Sequence, residues 1–179
     1  NIAVIGNHHG CGSTHISIAL TSILNSMGES AYYIEKNSHN LINMITNTTK
    51  VTEKNGCMYY KSFRGFANYG PGISVEKPDN ATFIYDYGSI YSDYDLKQAD
   101  FILLVINDSL WQKTFAIEES HPLYHYKDRL KIIYNMGTRK RARELVKIYK
   151  LPVHYYDFDP NPFDITEWKR NCFKWLCNR

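Results

Sequence analysis

Asn1–His15, NIAVIGNHHGCGSTH, sets out a strand, a glycine loop and a helix start in fifteen residues. The apolar run Ile2, Ala3, Val4, Ile5 ends at Gly6, and a loop with Gly10 and Gly12 follows. Ser13 and Thr14 then open a series, Ile16, Ile18, Ala19, Leu20, Ile23 and Leu24, at helical spacing. This order of elements cradles a phosphate. Glycines let the backbone wrap close to the anion, and the unpaired amides of the helix's first turn point at it. In the motif G-x-x-x-x-G-K-[ST] a lysine neutralises the outer phosphates. Here that position holds Ser13, so the cradle lacks its main charge.

Outward from this stretch, strand and helix patterns alternate. Thr14–Met27 reads as a helix stopped by Gly28, and Ala31–Glu35 as the second strand. Ser38 caps a short helix with Leu41, Ile42 and Ile45 on its apolar side. Residues 48–80 break the rhythm. There Met58–Tyr60 and Ile73–Val75 flank the glycine-rich Arg64–Gly72, which predicts an irregular or hairpin insertion at one edge of a single domain spanning 1–179. Thr82–Tyr85 is a strand delivering Asp86, and Phe101–Ile106 is a continuous apolar strand suited to burial on both faces. A helix is expected from Ser109 to about Glu119, then a strand Leu130–Tyr134 ending at Asn135. A basic amphipathic helix Arg139–Tyr149, a short strand Val153–Tyr155 and a closing helix Ile165–Leu176 complete the chain. The expected fold is a three-layer α/β domain: an open, mostly parallel sheet with helices on both faces. Ligands of such sheets sit beyond the carboxyl ends of the strands, where every candidate below falls.

Gly10, Cys11, Gly12, Ser13, Thr14 and His15 are the candidate phosphate-binding residues. The Thr14 hydroxyl and the Asp86 carboxylate are the candidate Mg²⁺ ligands, since a hard cation takes oxygen donors. Asn135 carries a donor and an acceptor that suit a purine edge. The turn Asp157, Asp159, Pro160, Pro162 either walls the same pocket or is an ordinary turn. Glu35 either orients water or metal or closes its strand in solvent, the second being the simpler reading. His8, His9, Cys11 and His15 lie within eight residues, but neighbours in a tight loop do not aim at one tetrahedral centre. His8 or His9 is instead expected to lend a pH-dependent charge where a lysine would stand.

Composition bounds the rest. At 179 residues with 44% hydrophobic and 22% charged content, the chain suits one globular core. A net charge of +3, with its basic block confined to Arg139, Lys140, Arg141 and Arg143, argues against a strong nucleic-acid field. Tyrosine is abundant, at 15 copies, which suits half-buried strands and interfaces, local compositional bias being the simpler reading. Cys11, Cys57, Cys172 and Cys177 show no C-x-x-C pairing, no signal peptide is evident, and reduced thiols in the cytoplasm are expected. The start on a strand without Met is expected to reflect processing, trimming or origin as a fragment. No apolar run nears the roughly 20 residues that span a bilayer. Trp168, Cys172, Trp175 and Leu176 stripe the last helix among Lys169, Arg170, Lys174 and Arg179, and packing on the sheet is expected over membrane-surface association.

At these residues the chain resembles the MinD/ParA group of P-loop ATPases, whose deviant Walker A loop reads K-G-G-x-G-K-[ST]. His8 falls at the signature lysine and His9 at the first glycine; Gly10 and Gly12 match the next two, Ser13 takes the phosphate lysine's place, and Thr14 matches the Mg²⁺ hydroxyl. Asp86-Tyr87-Gly88 resembles the Walker B and switch II segment, Asn135 the adenine-contacting Asn, and Asp157–Pro162 the adenine-side loop. Glu35 stands near the group's catalytic or switch Asp. The resemblance covers most of the chain and leans to degenerate, TadZ-type offshoots of pilus and secretion-system assembly. It implies ATP or ADP with Mg²⁺ as ligand, and a protein partner or self-association. With both lysines absent it implies weak or absent hydrolysis, in a positioning, assembly or regulatory module. The alternative is an active Mg²⁺-dependent ATPase in which histidine or a partner chain supplies the charge. A small-molecule ligase or synthetase of the same superfamily ranks last, because no second set of acid, base or nucleophile is visible.

Overall fold

The computed structural model describes residues 1–48, 50–66, 78–107 and 121–177. β1 (Ile2–Gly6) is buried along its whole length. It lies between β6 (Thr82–Gly88) and β7 (Phe101–Ile106), parallel to both. Beyond β6 comes β2 (Ala31–Glu35), and beyond β7 come β8 (Leu130–Asn135) and β9 (Val153–Tyr156), all parallel. A meander of β3 (Thr52–Lys54), β4 (Cys57–Tyr60) and β5 (Phe63–Phe66) joins β2 through β5. Among the described residues the nine strands form one sheet, β3-β4-β5-β2-β6-β1-β7-β8-β9.

β1 and β7 are apolar at every position because helices cover both faces. On one face α1 (Ser13–Ser26) and α5 (Glu167–Cys177) bury Ile16, Leu20, Ile23, Phe173 and Leu176 against Ile2, Val4, Leu103 and Val105. On the other, Leu96 of α3 (Asp93–Lys97) and Ala142, Leu145 and Tyr149 of α4 (Arg139–Tyr149) pack on Ala3, Ile5, Ile102 and Leu104. α2 (Leu41–Thr48) closes a smaller cluster with Tyr33, Met58 and Phe63. The stripe on α5 therefore packs on the sheet, with Trp168, Cys172 and Trp175 half-buried beside it. No described helix is long and apolar enough to cross a membrane.

α1 buries Ser17, Thr21 and Ser22 as well as its apolar side. Ser17 and Thr21 donate their hydroxyls to the carbonyls of Ser13 and Ser17, one turn back, whereas the Ser22 hydroxyl is buried without a partner. Gly28 takes φ 90° just past the helix, and Asn25 clamps the amide and carbonyl of Ala31 to start β2.

Three expectations shift. The partner of Met58–Tyr60 is Phe63–Phe66, with Lys61 at φ 51° in the turn between them, so that hairpin is tighter than its glycine content suggested. Ile73–Val75 and the helix expected over Ser109–Glu119 lie outside the described residues. Lys169, one of the basic residues around the stripe on α5, is fully buried. Its ammonium donates to the Asn161 carbonyl at 2.7 Å and the Asp164 carbonyl at 2.9 Å, and pairs with Asp159 at 2.9 Å. Three donors meet three oxygens, and the β9–α5 connection folds around them. Partial burial works against ionising Asp159, but the bonds from Lys169 and the Asn161 amide outweigh it and hold the carboxyl below its usual range.

Replacing Lys169 by Met should leave the Asp159 charge and two carbonyls without their donor, costing about 3 kcal/mol of stability. Arg141→Met, which removes a surface pair with Glu144, should cost below about 1 kcal/mol. Urea denaturation of both variants checks the difference.

Candidate functional site

The loop between β1 and α1 is shaped by two residues that only glycine satisfies. Gly10 and Gly12 adopt φ 83° and 95°, and a Cβ on Gly12 would stand 2.2 Å from the Asn135 amide nitrogen. Asn135 ends β8 and donates to the Cys11 carbonyl at 3.0 Å, so β8 braces the loop from below. The Cys11 thiol is buried beneath the loop, and burial raises its pKa. No side chain caps α1, and no acidic residue lies in its first turn. The first-turn amides and the positive end of the helix dipole are left facing the loop.

Asp86 is fully buried where β6 meets β1 and β2, with Val4 and Glu35 opposite it. Its Oδ2 accepts from the Thr14 hydroxyl at 2.6 Å, the Asn37 amide at 2.7 Å and the Tyr33 hydroxyl at 3.0 Å. Its Oδ1 accepts from the Gly88 amide at 3.1 Å. Burial raises its pKa, and these donors pull the other way without cancelling it. Glu35 corrects the expectation of a strand end in solvent. Only 1% exposed, it accepts from the Leu41 amide at 2.6 Å and the Ile42 amide at 3.4 Å, filling the role given to Ser38 at the start of α2. Burial raises its pKa as well, and the neighbouring Asp86 adds to the shift.

The histidines divide. The His8 ring lies 2.6 Å from Asn107 Oδ1 and 2.7 Å from the His9 carbonyl, two acceptors that a ring protonated on both nitrogens satisfies together. His9 meets His39 edge-on at 5.4 Å, and both are exposed. His15 points away from the loop, between Tyr156 and Phe158, with its buried Nε2 unpartnered. Burial, helped by the Lys169 charge, lowers its pKa to about 4, so it carries no charge at neutral pH. Among the described residues no three His, Cys, Asp or Glu side chains converge as a metal site. Asp157 and Asp159 part company too: Asp159 turns to Lys169, and Asp157 faces a groove beside α4.

Tyr33, Asn37, His39 and Asn107 escaped the sequence reading. Alternation along β2 was the available signal for Tyr33, since Tyr33 and Glu35 share the face of Asp86. Nothing in the sequence pointed to Asn107.

No family model and no curated protein matches the chain. Solved structures do. A plasmid partition protein of Borrelia burgdorferi bound to AMPPNP is similar at TM-score 0.63 and 12% identity, over 99% of this chain and 97% of that one. A ParA family ATPase of Chlorobium tepidum TLS gives 0.57 and 13%, over 99% and 93%. The MinD cell division protein of Aquifex aeolicus gives 0.57 and 15%, over 100% and 97%. The fold is that of the MinD/ParA-type P-loop ATPases.

Because burial raises the Asp86 pKa, the folded chain holds its proton more tightly than the unfolded chain. This group's contribution to stability therefore falls as pH rises out of the usual carboxylate range. Asp86→Asn lacks that term. Its melting temperature, measured against the wild type without nucleotide, should gain steadily from about pH 4 to about pH 7.

Proposed function

We propose that this chain is a MinD/ParA-like nucleotide-binding module that binds ATP or ADP with Mg²⁺ and hydrolyses ATP weakly or not at all, serving positioning, assembly or regulation through a protein partner or self-association. The carrying observation is the 2.6 Å contact between Thr14 and Asp86 beside the uncapped start of α1. That places two hard oxygen donors next to a row of free amides, a donor set suited to Mg²⁺ and phosphate.

The amides of Gly10–Thr14 would hold the phosphates, and Thr14 with Asp86 the cation. Asn135 would meet the base through Oδ1, which is buried without a partner, while its amide nitrogen stays on the loop. Bound Mg²⁺ supplies charge neutralisation between the outer phosphate oxygens. Among the described residues, the side chains near the cradle supply little more. Ser13 carries no charge, and Lys169 has all three donors committed elsewhere. Glu35 is bound to the α2 amides, and Asn37 has no basic group to take a proton from water. Losing a donor on the transferring phosphate costs on the order of 10²–10³ in rate, and a missing full charge costs more. His8 and His9 remain as imidazoles beside the loop.

Calorimetric titration with ATP and ADP, with and without Mg²⁺, tests this reading. Mg²⁺-dependent binding should lose its metal dependence in Asp86→Ala, and Ser13→Lys should tighten ATP. Affinity should rise modestly as pH falls from about 7.5 to about 6, where imidazole titrates, and His8→Ala or His9→Ala should flatten that slope. No binding of either nucleotide would sink the proposal. ATP turnover at ordinary ATPase rates, abolished by Asp86→Ala, would refute the claim of weak hydrolysis.

A further inference from the structure

β9 ends the sheet, with β8 on one side and no strand on the other among the described residues. In a parallel ladder, alternate residues turn both backbone groups toward the same neighbour. The Ile132 amide donates to the Pro152 carbonyl, so His154 and Tyr156 turn toward β8 while Val153 and Tyr155 turn outward. The Cys172 thiol on α5 donates to the Tyr155 carbonyl at 3.5 Å from that outer side. α4 stands on one face of the sheet and α5 on the other, leaving the edge of β9 as the floor of a groove of about 480 Å³. The groove shares no residue with the phosphate cradle.

Its two sides differ. Arg139 and Arg143, one helical turn apart on α4, are exposed along one wall. The Arg139 guanidinium lies 5.6 Å over the Tyr155 ring, whose hydroxyl donates to Asp157 at 3.1 Å. Neither arginine is in an ion pair among the described residues. Asp157 is the groove's one acidic lining residue and already accepts from Tyr155. The opposite wall presents Trp168 and Cys172. Natural proteins blunt or cover a free edge, because its backbone groups invite another strand. Here the helices flank the edge without closing it, and the charge beside it is positive.

We propose that this groove receives an extended acidic segment of a partner protein, which adds to β9 as a further strand. The outward amide and carbonyl of Val153 and the amide of Tyr155 give the ladder, and an amide of the added strand replaces the weak thiol donor of Cys172 at the Tyr155 carbonyl. Side chains of an added strand alternate, so one set meets the two guanidinium groups and the other meets Trp168 and Cys172. The recognised pattern is therefore an acidic residue at every second position with apolar residues between. Arginine's planar fork takes carboxylates in pairs of charge-assisted bonds, which sets the preference for acid.

The test is a display selection of short random peptides on the whole chain, counter-selected on the Arg139→Glu/Arg143→Glu double variant. Arg143→Gln serves as a milder control should the double variant fold poorly. Recovered peptides should alternate Asp or Glu with apolar residues and bind the wild type roughly tenfold or more tighter than the double variant. They should slow amide exchange at Val153 and Tyr155 and lose affinity when their backbone is N-methylated at alternate positions. The proposal is overturned if no peptide is enriched over the double variant, or if N-methylated peptides bind equally well. It is overturned too if a duplex DNA oligonucleotide alone engages these arginines, or if sedimentation shows a second copy of the chain on this edge that Arg143→Gln releases.

Discussion

Burying one carboxylate in the middle of a parallel sheet is expensive unless donors surround it, and much of this domain is arranged to supply them. Asp86 gathers the Thr14 hydroxyl from the start of α1, Tyr33 from β2, Asn37 from the segment after β2, and the Gly88 amide from its own strand. The first three donors each tie a different element to the end of β6. The strand–loop–helix unit, the second strand and the segment after it are thus pinned to one point. Even so, burial outweighs the donors and the carboxyl is held above its usual range. A residue that raises the energy of the resting fold, at the carboxyl end of a central strand beside free helix amides, is where function and stability pull in opposite directions.

Positive charge is distributed in an unusual way. The buried lysine is used up in folding the β9–α5 connection, where it organises Asp159 and two carbonyls and helps keep His15 neutral. The arginines of α4 sit at the sheet's far edge. Beside the phosphate cradle stand the imidazoles of His8, His9 and His39. Any anion in the cradle would be met mainly by backbone amides, which do not change with pH and impose geometry more than attraction.

The architecture was legible because strand and helix leave different periodicities. The continuous apolar run of Phe101–Ile106 and the glycine-interrupted start at Ile2–Gly6 could only be central parallel strands. Asp86 and Thr14 were legible for the same reason: both follow directly from an element boundary. What the sequence concealed was long-range polar pairing. Glu35 at a strand end reads as solvated until the chain turns α2's first amides onto it, and Lys169 among exposed-looking neighbours reads as a rim residue until the loop before it folds back. His15 looked like part of the cradle by position, but one residue along a helix turns a side chain by about 100°, enough to send it into the aromatic cluster at β9. Periodicity reports which face a residue takes; it does not report which polar partner arrives from elsewhere.

The contact between Gly12 and Asn135 carries a consequence for how this loop can diverge between generations. The amide of Asn135 fills the space where a side chain at position 12 would stand, and the same amide holds the Cys11 carbonyl. Neither position can drift alone: any Cβ at 12 demands a smaller residue at 135, and that smaller residue lets go of the loop. The two sites, 123 positions apart, therefore constrain each other directly, and the shape of the cradle is set as much from the end of β8 as from the loop's own glycines.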